Sequence, residues 1–280
     1  VQTMRRLGGT VVTPGHPVVA EARLDALGPT ARRRLAARLL DHGSGAAGVR
    51  RVEPKQGADK SVRNGTNMST VASIMELCWG DVGLLLSMPG QGLGKTGIAS
   101  VADDAQHARF DGRWAAMAIT EPEAGSDSAA IRTTAVLDGD EYVLNGEKIY
   151  VTAGERADLV VVWATLDREQ GRAAIKSFVV ERSNPGLILE RLEHKLGIRA
   201  SDTAAFRLED CRVPKEHLLG TPEIDAKRSF AGAMQTFDNT RPLVAAMAVG
   251  LARACLEEAT ALLHEAGVEV DVDRPIALQS

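Results

Sequence analysis

The chain has 280 residues, of which 44% are apolar and 25% are charged, a composition typical of a globular protein with a substantial core. Its net charge of -4 argues against a general affinity for nucleic acid or anionic lipid. No apolar run approaches the roughly 20 residues that span a bilayer, and the first residues do not resemble a signal peptide. We therefore expect a cytoplasmic protein without a membrane span.

The cysteines and histidines predict neither disulfides nor a metal site. Cys78, Cys211 and Cys255 are far apart and match no metal or redox spacing, so we expect reduced, buried thiols. The six histidines never pair at the spacing that binds zinc on a helix. Zinc-dependent hydrolysis is therefore disfavoured.

Residues 18–110 have the periodicity of helices. Apolar side chains recur at three- and four-residue steps from Leu24 to Leu39 and again from Met68 to Cys78. Residues 43–65, rich in Gly, Lys and Arg, are interpreted as a loop or linker. Residues 90–96 resemble a phosphate-binding loop, but Pro89 occupies the position where that loop needs glycine. We interpret this stretch as a flexible linker between two helices.

Residues 114–214 change to a period near two. The apolar stretches 159–163 and 177–180 predict buried strands. Asn145-Gly146, between two short apolar segments, predicts a hairpin with a two-residue type I′ turn, and residues 138–140 predict another turn. Because short turns and no helices separate the strands, the sequence predicts an antiparallel sandwich or barrel.

The helical period returns after Pro214 as one apolar stripe from residue 230 to residue 263. Pro242 lies within this stripe. It is interpreted either as part of the first turn of a helix capped by Thr240 or as a kink in a continuous helix. The matching phase on both sides favours the kink. One helix cannot bury its apolar face alone. We expect it to pack on the N-terminal helices, on further chain or on another subunit.

Four short motifs occur between residues 118 and 242. Residues 118–127 read Ala-Ile-Thr-Glu-Pro-Glu-Ala-Gly-Ser-Asp, residues 144–152 Leu-Asn-Gly-Glu-Lys-Ile-Tyr-Val-Thr, residues 195–203 Lys-Leu-Gly-Ile-Arg-Ala-Ser-Asp-Thr, and residues 237–242 Phe-Asp-Asn-Thr-Arg-Pro. Together and in this order they resemble the acyl-CoA dehydrogenase family of flavoproteins. The resemblance implies an α+β fold with an N-terminal helical domain (1–112), a middle β domain (113–222) and the first part of a C-terminal helical bundle (223–280).

The resemblance also assigns binding roles. It implies that FAD contacts Met117, Ile119, Thr120, Ser126, Tyr150, Val151 and Thr152. It implies that an acyl-CoA contacts Ser126, Asp238, Thr240 and Arg241. The implied reaction is α,β-dehydrogenation of the thioester, in which a carboxylate removes the α proton and the flavin accepts a hydride from the β carbon. An electron-transferring flavoprotein is the implied downstream partner.

Two positions depart from the family pattern. Thr240 occupies the position where the isovaleryl and long-chain branches carry their catalytic glutamate. Other members carry this glutamate far into the C-terminal bundle. No residue is therefore assigned as the base. Residues 265–271, Glu-Ala-Gly-Val-Glu-Val-Asp, replace a basic segment that reaches the FAD of a neighbouring subunit. The leading hypothesis is an acyl-CoA dehydrogenase in a homo- or hetero-oligomer. The alternatives are a non-catalytic partner subunit and, with less support, a related flavin monooxygenase or oxidase.

Overall fold

The computed structural model describes residues 66–88, 90–224 and 231–268. The first predicted helix, around Leu24 to Leu39, and the predicted linker at 43–65 lie outside the described residues. Within the described residues, no helix is both long and apolar enough to cross a membrane.

In the described part of the chain, four helices precede the sheet: α1 (Thr66–Gly80), α2 (Val82–Ser87), α3 (Gly94–Val101) and α4 (Asp104–Phe110). The start of α4 is fixed by a capping box, because Asp103 accepts a hydrogen bond from the Gln106 amide and the Gln106 side chain accepts one from the Asp103 amide. Asp81 caps α2 by accepting from the Leu84 amide at 2.9 Å. The helical pattern predicted from Met68 to Cys78 is confirmed by α1.

Seven strands form one curled sheet. They are β1 (Ala115–Ala118), β2 (Thr134–Asp138), β3 (Glu141–Thr152), β4 (Leu159–Thr165), β5 (Ile175–Glu181), β6 (Leu187–Leu192) and β7 (Thr203–Pro214). Their order is β1-β4-β2-β3-β7-β6, with β5 paired to β4. The two strands predicted from residues 159–163 and 177–180 pair directly as β4 and β5. The mixed helix and sheet architecture confirms the predicted fold class.

The sheet is antiparallel except at two contacts. β1 runs parallel to β4, and Thr134 of β2 pairs in parallel with Thr165 of β4. Parallel neighbours need a long connection, and here the β2–β3 hairpin lies between β1 and β4 along the chain. The sequence pattern of short turns between the later strands could not reveal that β1 pairs in parallel with β4.

The predicted hairpin turn at Asn145-Gly146 is wrong. Both residues lie inside the continuous strand β3, and the β2–β3 turn instead lies at Gly139, whose φ is 65°. The β3–β7 register shifts between Leu144 and Gly146, which marks a β-bulge. Asn-Gly tolerates the unusual φ values that both a bulge and a tight turn require. The local sequence therefore does not distinguish the two.

β4 lies at the centre of the core and is buried on both faces. Val160 and Val162 pack with side chains of β3, β5 and β7 in one cluster. Leu159, Val161 and Trp163 point the other way, into a second cluster that includes residues of α3 and α4. This two-sided burial explains why the strand reads as a continuous apolar run.

The last helix, α5 (Ala231–Glu265), continues through Pro242, so the interpretation as one helix is correct. It packs closely on α1, where a Cβ on Gly250 would collide with the Met75 carbonyl. The predicted apolar stripe is only partly covered by described residues. The large apolar side chains exposed on the described part of α5 are Val244, Val249, Leu251, Leu256 and Leu262.

The cysteines are free thiols, as predicted, but only two are buried. Cys78 and Cys211 are buried, whereas Cys255 lies on α5 and is exposed. Burial raises the pKa of the Cys78 and Cys211 thiols to about 12, and the Asp81 charge adds to the effect at Cys78. Among the described residues no group of His, Cys, Asp and Glu could hold a metal ion.

Candidate functional site

The end of β1 and the end of β3 lie side by side. The Ile149 amide donates a hydrogen bond to the Thr120 carbonyl at 2.9 Å. The Lys148 Nζ donates to the Ile119 carbonyl at 3.2 Å. The first two motifs, which the sequence analysis predicted to face one ligand, are therefore in direct contact.

A buried ion pair connects the same two motifs. The Lys148 Nζ lies 2.7 Å from the Glu121 Oε1, and the two side chains are 0% and 6% exposed. Glu121 also accepts hydrogen bonds from the amides of Arg132 and Thr133 and from the Thr133 hydroxyl, at 2.6, 3.0 and 2.6 Å. Both charges are thus compensated and hydrogen-bonded, as burial requires.

The bulge at Gly146 makes room for this arrangement. A Cβ at Gly146 would lie 2.5 Å from the Thr133 Oγ1 and 2.7 Å from the Thr133 Cα. The Asn145 side chain holds the bulge by accepting from the Asp210 amide at 2.9 Å. The Asn-Gly-x-Lys motif therefore bends the strand so that Thr133 and Lys148 both reach Glu121.

The pKa values of the pair reflect burial and mutual attraction. Burial alone raises the pKa of Glu121, but the Lys148 charge and the hydrogen bonds from Lys148, Thr133 and Arg132 bring it below its ordinary value. Burial lowers the pKa of Lys148 to about 8, against the opposing effect of Glu121. The Glu121 carboxylate is therefore ionised at neutral pH.

The third motif holds the turn that follows β3. The Ala153 amide donates to the Asp202 carbonyl at 3.1 Å, and Ala153 has a positive φ of 61°. The Asp202 carboxylate accepts from the Glu155 amide at 3.1 Å and from the Arg156 Nε at 2.7 Å. Residues 201–203 therefore fix the chain immediately after Thr152.

The glycine-rich stretch before α3 packs against the same region. A Cβ on Gly92 would lie 2.9 Å from the Thr152 carbonyl oxygen, and one on Gly94 would lie 2.5 Å from the Ala115 carbonyl carbon. The interpretation of this stretch as a flexible linker is therefore wrong. Gly92 and Gly94 are needed because backbone approaches backbone there without space for a side chain.

The predicted flavin residues differ in their exposure. Ile119 and Val151 are buried, Met117, Thr120 and Thr152 are half-buried, and Ser126 is exposed. Because Val151 packs into the core, it can offer only main-chain groups. Tyr150 is 61% exposed and has a φ of 58°, a left-handed conformation that costs about 1–3 kcal/mol and tends to occur at functional sites.

The fourth motif approaches β1 from α5. Phe237 packs against the cluster that contains Ile119 and Ala115. Thr240 is 3% exposed, and its hydroxyl donates to the Phe237 carbonyl at 3.3 Å. The Arg241 side chain is exposed and lies 5.7 Å from the Phe237 ring centroid. The Asp238 side chain lies outside the described part of the chain.

No described buried carboxylate is free to act as a base. Among the residues that the structure describes, the buried acids are Glu121 and Asp202. Glu121 is paired with Lys148, and Asp202 is paired with Arg156. A carboxylate held by a cation and amide donors has little tendency to accept a proton.

The residues at the junction fit the chemistry of a flavin. Met117 and Ile119 offer apolar surface, and Thr120, Ser126 and Thr152 offer hydroxyls beside main-chain amides and carbonyls. A flat ring system with a polar, uncharged edge requires this combination of neutral donors and apolar contact. Met117, Ile119, Thr120, Ser126, Tyr150 and Thr152, with the main chain of Val151, are the residues that would hold FAD.

Four residues that form this junction were not predicted as site residues: Glu121, Lys148, Thr133 and Gly92. Lys148 carried a signal, because it begins the strand segment Lys148-Ile149-Tyr150-Val151, whose other residues are apolar or aromatic. A lysine at an inward-facing strand position is seldom fully buried without a partner. The identity of its partner depended on the contact between β1 and β3.

Comparisons with known proteins agree with this geometry. Residues 116–211 match the model of the acyl-CoA dehydrogenase middle domain, and residues 230–270 match that of the acyl-CoA dehydrogenase C-terminal domain. The short-chain specific acyl-CoA dehydrogenase of Clostridium acetobutylicum is 43% identical over 150 residues, which cover 54% of this chain and 38% of that protein. The acryloyl-CoA reductase (NADH) of Anaerotignum propionicum is 38% identical over 168 residues, which cover 59% and 41%.

Solved structures show the same relationship. The butyryl-CoA dehydrogenase of Megasphaera elsdenii superposes with a TM-score of 0.67 at 31% identity, covering 84% of this chain and 61% of that one. The chain matches about two fifths of the length of the curated relatives given above. Two domain models of one family match in the order the motifs require, and the fold agrees with a solved member, so the chain belongs to the acyl-CoA dehydrogenase family.

Proposed function

We propose that this chain carries out flavin-dependent α,β-dehydrogenation of an acyl-CoA thioester, with FAD as cofactor. The observation that supports this most directly is the contact between the Thr120 segment and the Tyr150–Thr152 segment through the Ile149 amide and the Glu121–Lys148 pair. This contact forms one junction from two motifs that lie apart in the sequence. Family membership supplies the reaction class.

In this proposal the protein binds and orients the reactants. The main chain and hydroxyls at Thr120, Ser126 and Thr152 would bind FAD, with Tyr150 beside them. Ser126, Asp238, Thr240 and Arg241 would bind the acyl-CoA, whose phosphates suit the exposed guanidinium of Arg241. When bound, FAD supplies the acceptor for the hydride that leaves the β carbon. The α proton passes to a carboxylate, and a carbon–carbon double bond forms between the two carbons.

The carboxylate base is not among the buried acids that the structure describes. Thr240 bears a hydroxyl, which cannot take the α proton at neutral pH, and Glu121 is held as a carboxylate by Lys148. The hydroxyl at Thr240, where two branches of the family carry a glutamate, favours one alternative, a non-catalytic partner subunit that completes a site with another chain. The acidic residues at 265 and 269, where the family carries basic ones, support the same alternative.

The visible absorption spectrum separates these proposals. The full chain is purified without flavin and titrated with FAD, and butyryl-CoA is then added without oxygen. A dehydrogenase shows a flavin band that bleaches on addition of the thioester. A partner subunit stays colourless alone and becomes yellow only with a second, related chain. A chain that binds no flavin in either setting would refute both proposals.

Arg241→Ala tests the substrate assignment. Removing the guanidinium should weaken binding of butyryl-CoA by about 10- to 150-fold, because a charge-assisted hydrogen bond contributes roughly 1.5–3 kcal/mol. Arg172→Ala is the matched control, since Arg172 lies exposed in the short turn between β4 and β5. Equal binding by both variants would remove Arg241 from the acyl-CoA site.

The remaining expectations belong to the same proposal. We propose an electron-transferring flavoprotein as the electron acceptor and a homo- or hetero-oligomer as the assembly. The exposed apolar side chains of α5 support an oligomer, because a helix face of this kind gains stability when it is covered. Sedimentation of the purified chain tests the assembly. A cytoplasmic location and the three domain boundaries also stay predictions.

A further inference from the structure

The most unusual feature near the proposed flavin site is a lysine with no solvent exposure. Lys148 lies in β3 two residues before Tyr150, and Glu121 directly follows Thr120. Their side chains meet at 2.7 Å in the interior, 0% and 6% exposed. Each therefore belongs to a different wall of the proposed site, and both charges are almost entirely shielded from water.

The hydrogen bonds of the pair end on the main chain of both walls. Besides Glu121, the Lys148 Nζ bonds the Ile119 carbonyl at 3.2 Å. Glu121 in turn accepts from the amides of Arg132 and Thr133, at the start of the segment that leads into β2. The pair thus fixes the positions of main-chain atoms at the end of β1 relative to β3.

Stability alone gives a poor reason for this arrangement. Removing two charges from water costs several kcal/mol per ion, and apolar residues of similar volume often replace a buried pair with no loss of stability. What a charged, multiply hydrogen-bonded pair does provide is a defined geometry. The Tyr150 backbone, with a φ of 58°, is the neighbouring conformation that needs such support.

We infer that Glu121 and Lys148 are positioning residues that hold the end of β1 and the bulged end of β3 at the separation that flavin binding requires. This inference rests on the proposed function. Neither side chain touches the ligand, because both are enclosed by protein. They act through the carbonyl of Ile119 and the backbone of Thr120 and Tyr150.

The test compares two double variants of the full chain. Glu121→Gln with Lys148→Met removes the pair without leaving a buried charge, so it should fold. Glu76→Gln with Arg253→Met is the matched control, because that pair joins α1 to α5 at 2.6 and 3.0 Å and does not touch the proposed site. Circular dichroism without flavin establishes that both variants fold. Lys148→Met alone, which leaves Glu121 unpaired, gives a second measurement.

The readouts are the dissociation constant for FAD and the position and fine structure of the visible flavin band. Loss of the Glu121–Lys148 pair should raise the dissociation constant by roughly 10- to 100-fold, which corresponds to about 1.4–2.8 kcal/mol, because the main-chain groups that bind FAD are no longer held in place. The visible band of the FAD that still binds should change in position or fine structure, because the flavin ring then contacts protein groups in different positions. The control variant should change the dissociation constant by no more than about threefold and should leave the visible flavin band unchanged.

The outcomes separate this inference from the function on which it rests. If the wild-type chain binds FAD and the Glu121–Lys148 variant binds it equally tightly with the same spectrum, the inference is wrong and the proposed function stands. If the control variant loses FAD to the same degree, the effect is one of general stability, and the inference is again wrong. If no variant and no wild-type chain binds FAD, the proposed function fails first.

Discussion

Gly94→Ala tests the close packing of the glycine-rich stretch on β1. A Cβ at this position would lie 2.5 Å from the carbonyl carbon of Ala115, well inside van der Waals contact. The atoms it meets belong to the backbone of β1, which is paired with β4 along its full length. They cannot rotate away as a flexible side chain would, so the helix α3 or the strand must move.

Two effects of opposite sign set the magnitude. Overpacking of this kind costs about 1–3 kcal/mol, and the rigid neighbours place Gly94→Ala at the upper end. Alanine in place of glycine favours a helix by about 1 kcal/mol, less at a helix end such as Gly94. The net loss should be about 2 kcal/mol, which lowers the melting temperature by about 4–8 °C in a protein of this size.

Thermal and urea unfolding followed by circular dichroism measure this loss. Gly125→Ala is the matched control, because no atom lies within 4 Å of its Cβ position and its φ is not in the left-handed region. The control should change stability by less than about 0.5 kcal/mol. If Gly94→Ala were as stable as the control, the close approach of this stretch to β1 would be refuted.

Three further predictions concern a helix cap, the thiols and the buried carboxylate. Asp103→Ala should cost about 1 kcal/mol in urea unfolding, because it removes the capping box of α4. In native protein, Ellman's reagent should react quickly with one thiol, Cys255, and with Cys78 and Cys211 only after denaturation. The pKa of Glu121 is lowered by folding, so its stabilisation is complete above about pH 4.5 and is lost as the pH falls through the folded-state pKa. The stability difference between wild type and Glu121→Gln should therefore shrink in acid.

For each of these three predictions, one experimental result would contradict it. Asp103→Asn keeps an oxygen that can accept from the N3 amide and should retain most of the cap. If Asp103→Ala and Asp103→Asn lost equal stability, the loss of the cap would be excluded as the cause. Rapid reaction of all three thiols would contradict the burial of Cys78 and Cys211. A stability difference at Glu121 that is constant from pH 7 to pH 3 would show that folding does not lower the pKa of its carboxyl.

Much of the local structure followed from the sequence. The apolar runs that became β4 and β5, the helical period of α1 and the continuity of α5 through Pro242 are set by side-chain spacing, which the backbone geometry of each element repeats. The four motifs identified the family and predicted which segments belong to one site. These are properties of residues close together in the chain.

What the sequence could not decide were contacts between distant residues. Asn145-Gly146 fits a turn as well as a bulge, and only the pairing of β3 with β7 and the position of Thr133 select the bulge. Likewise, Glu121 and Lys148 are two ordinary surface residue types until β1 and β3 meet, and the partner of each depends on strand order and register. Spacing encodes local conformation, whereas the burial of a charge is a property of the whole fold, because it requires every neighbour that excludes water to be in place.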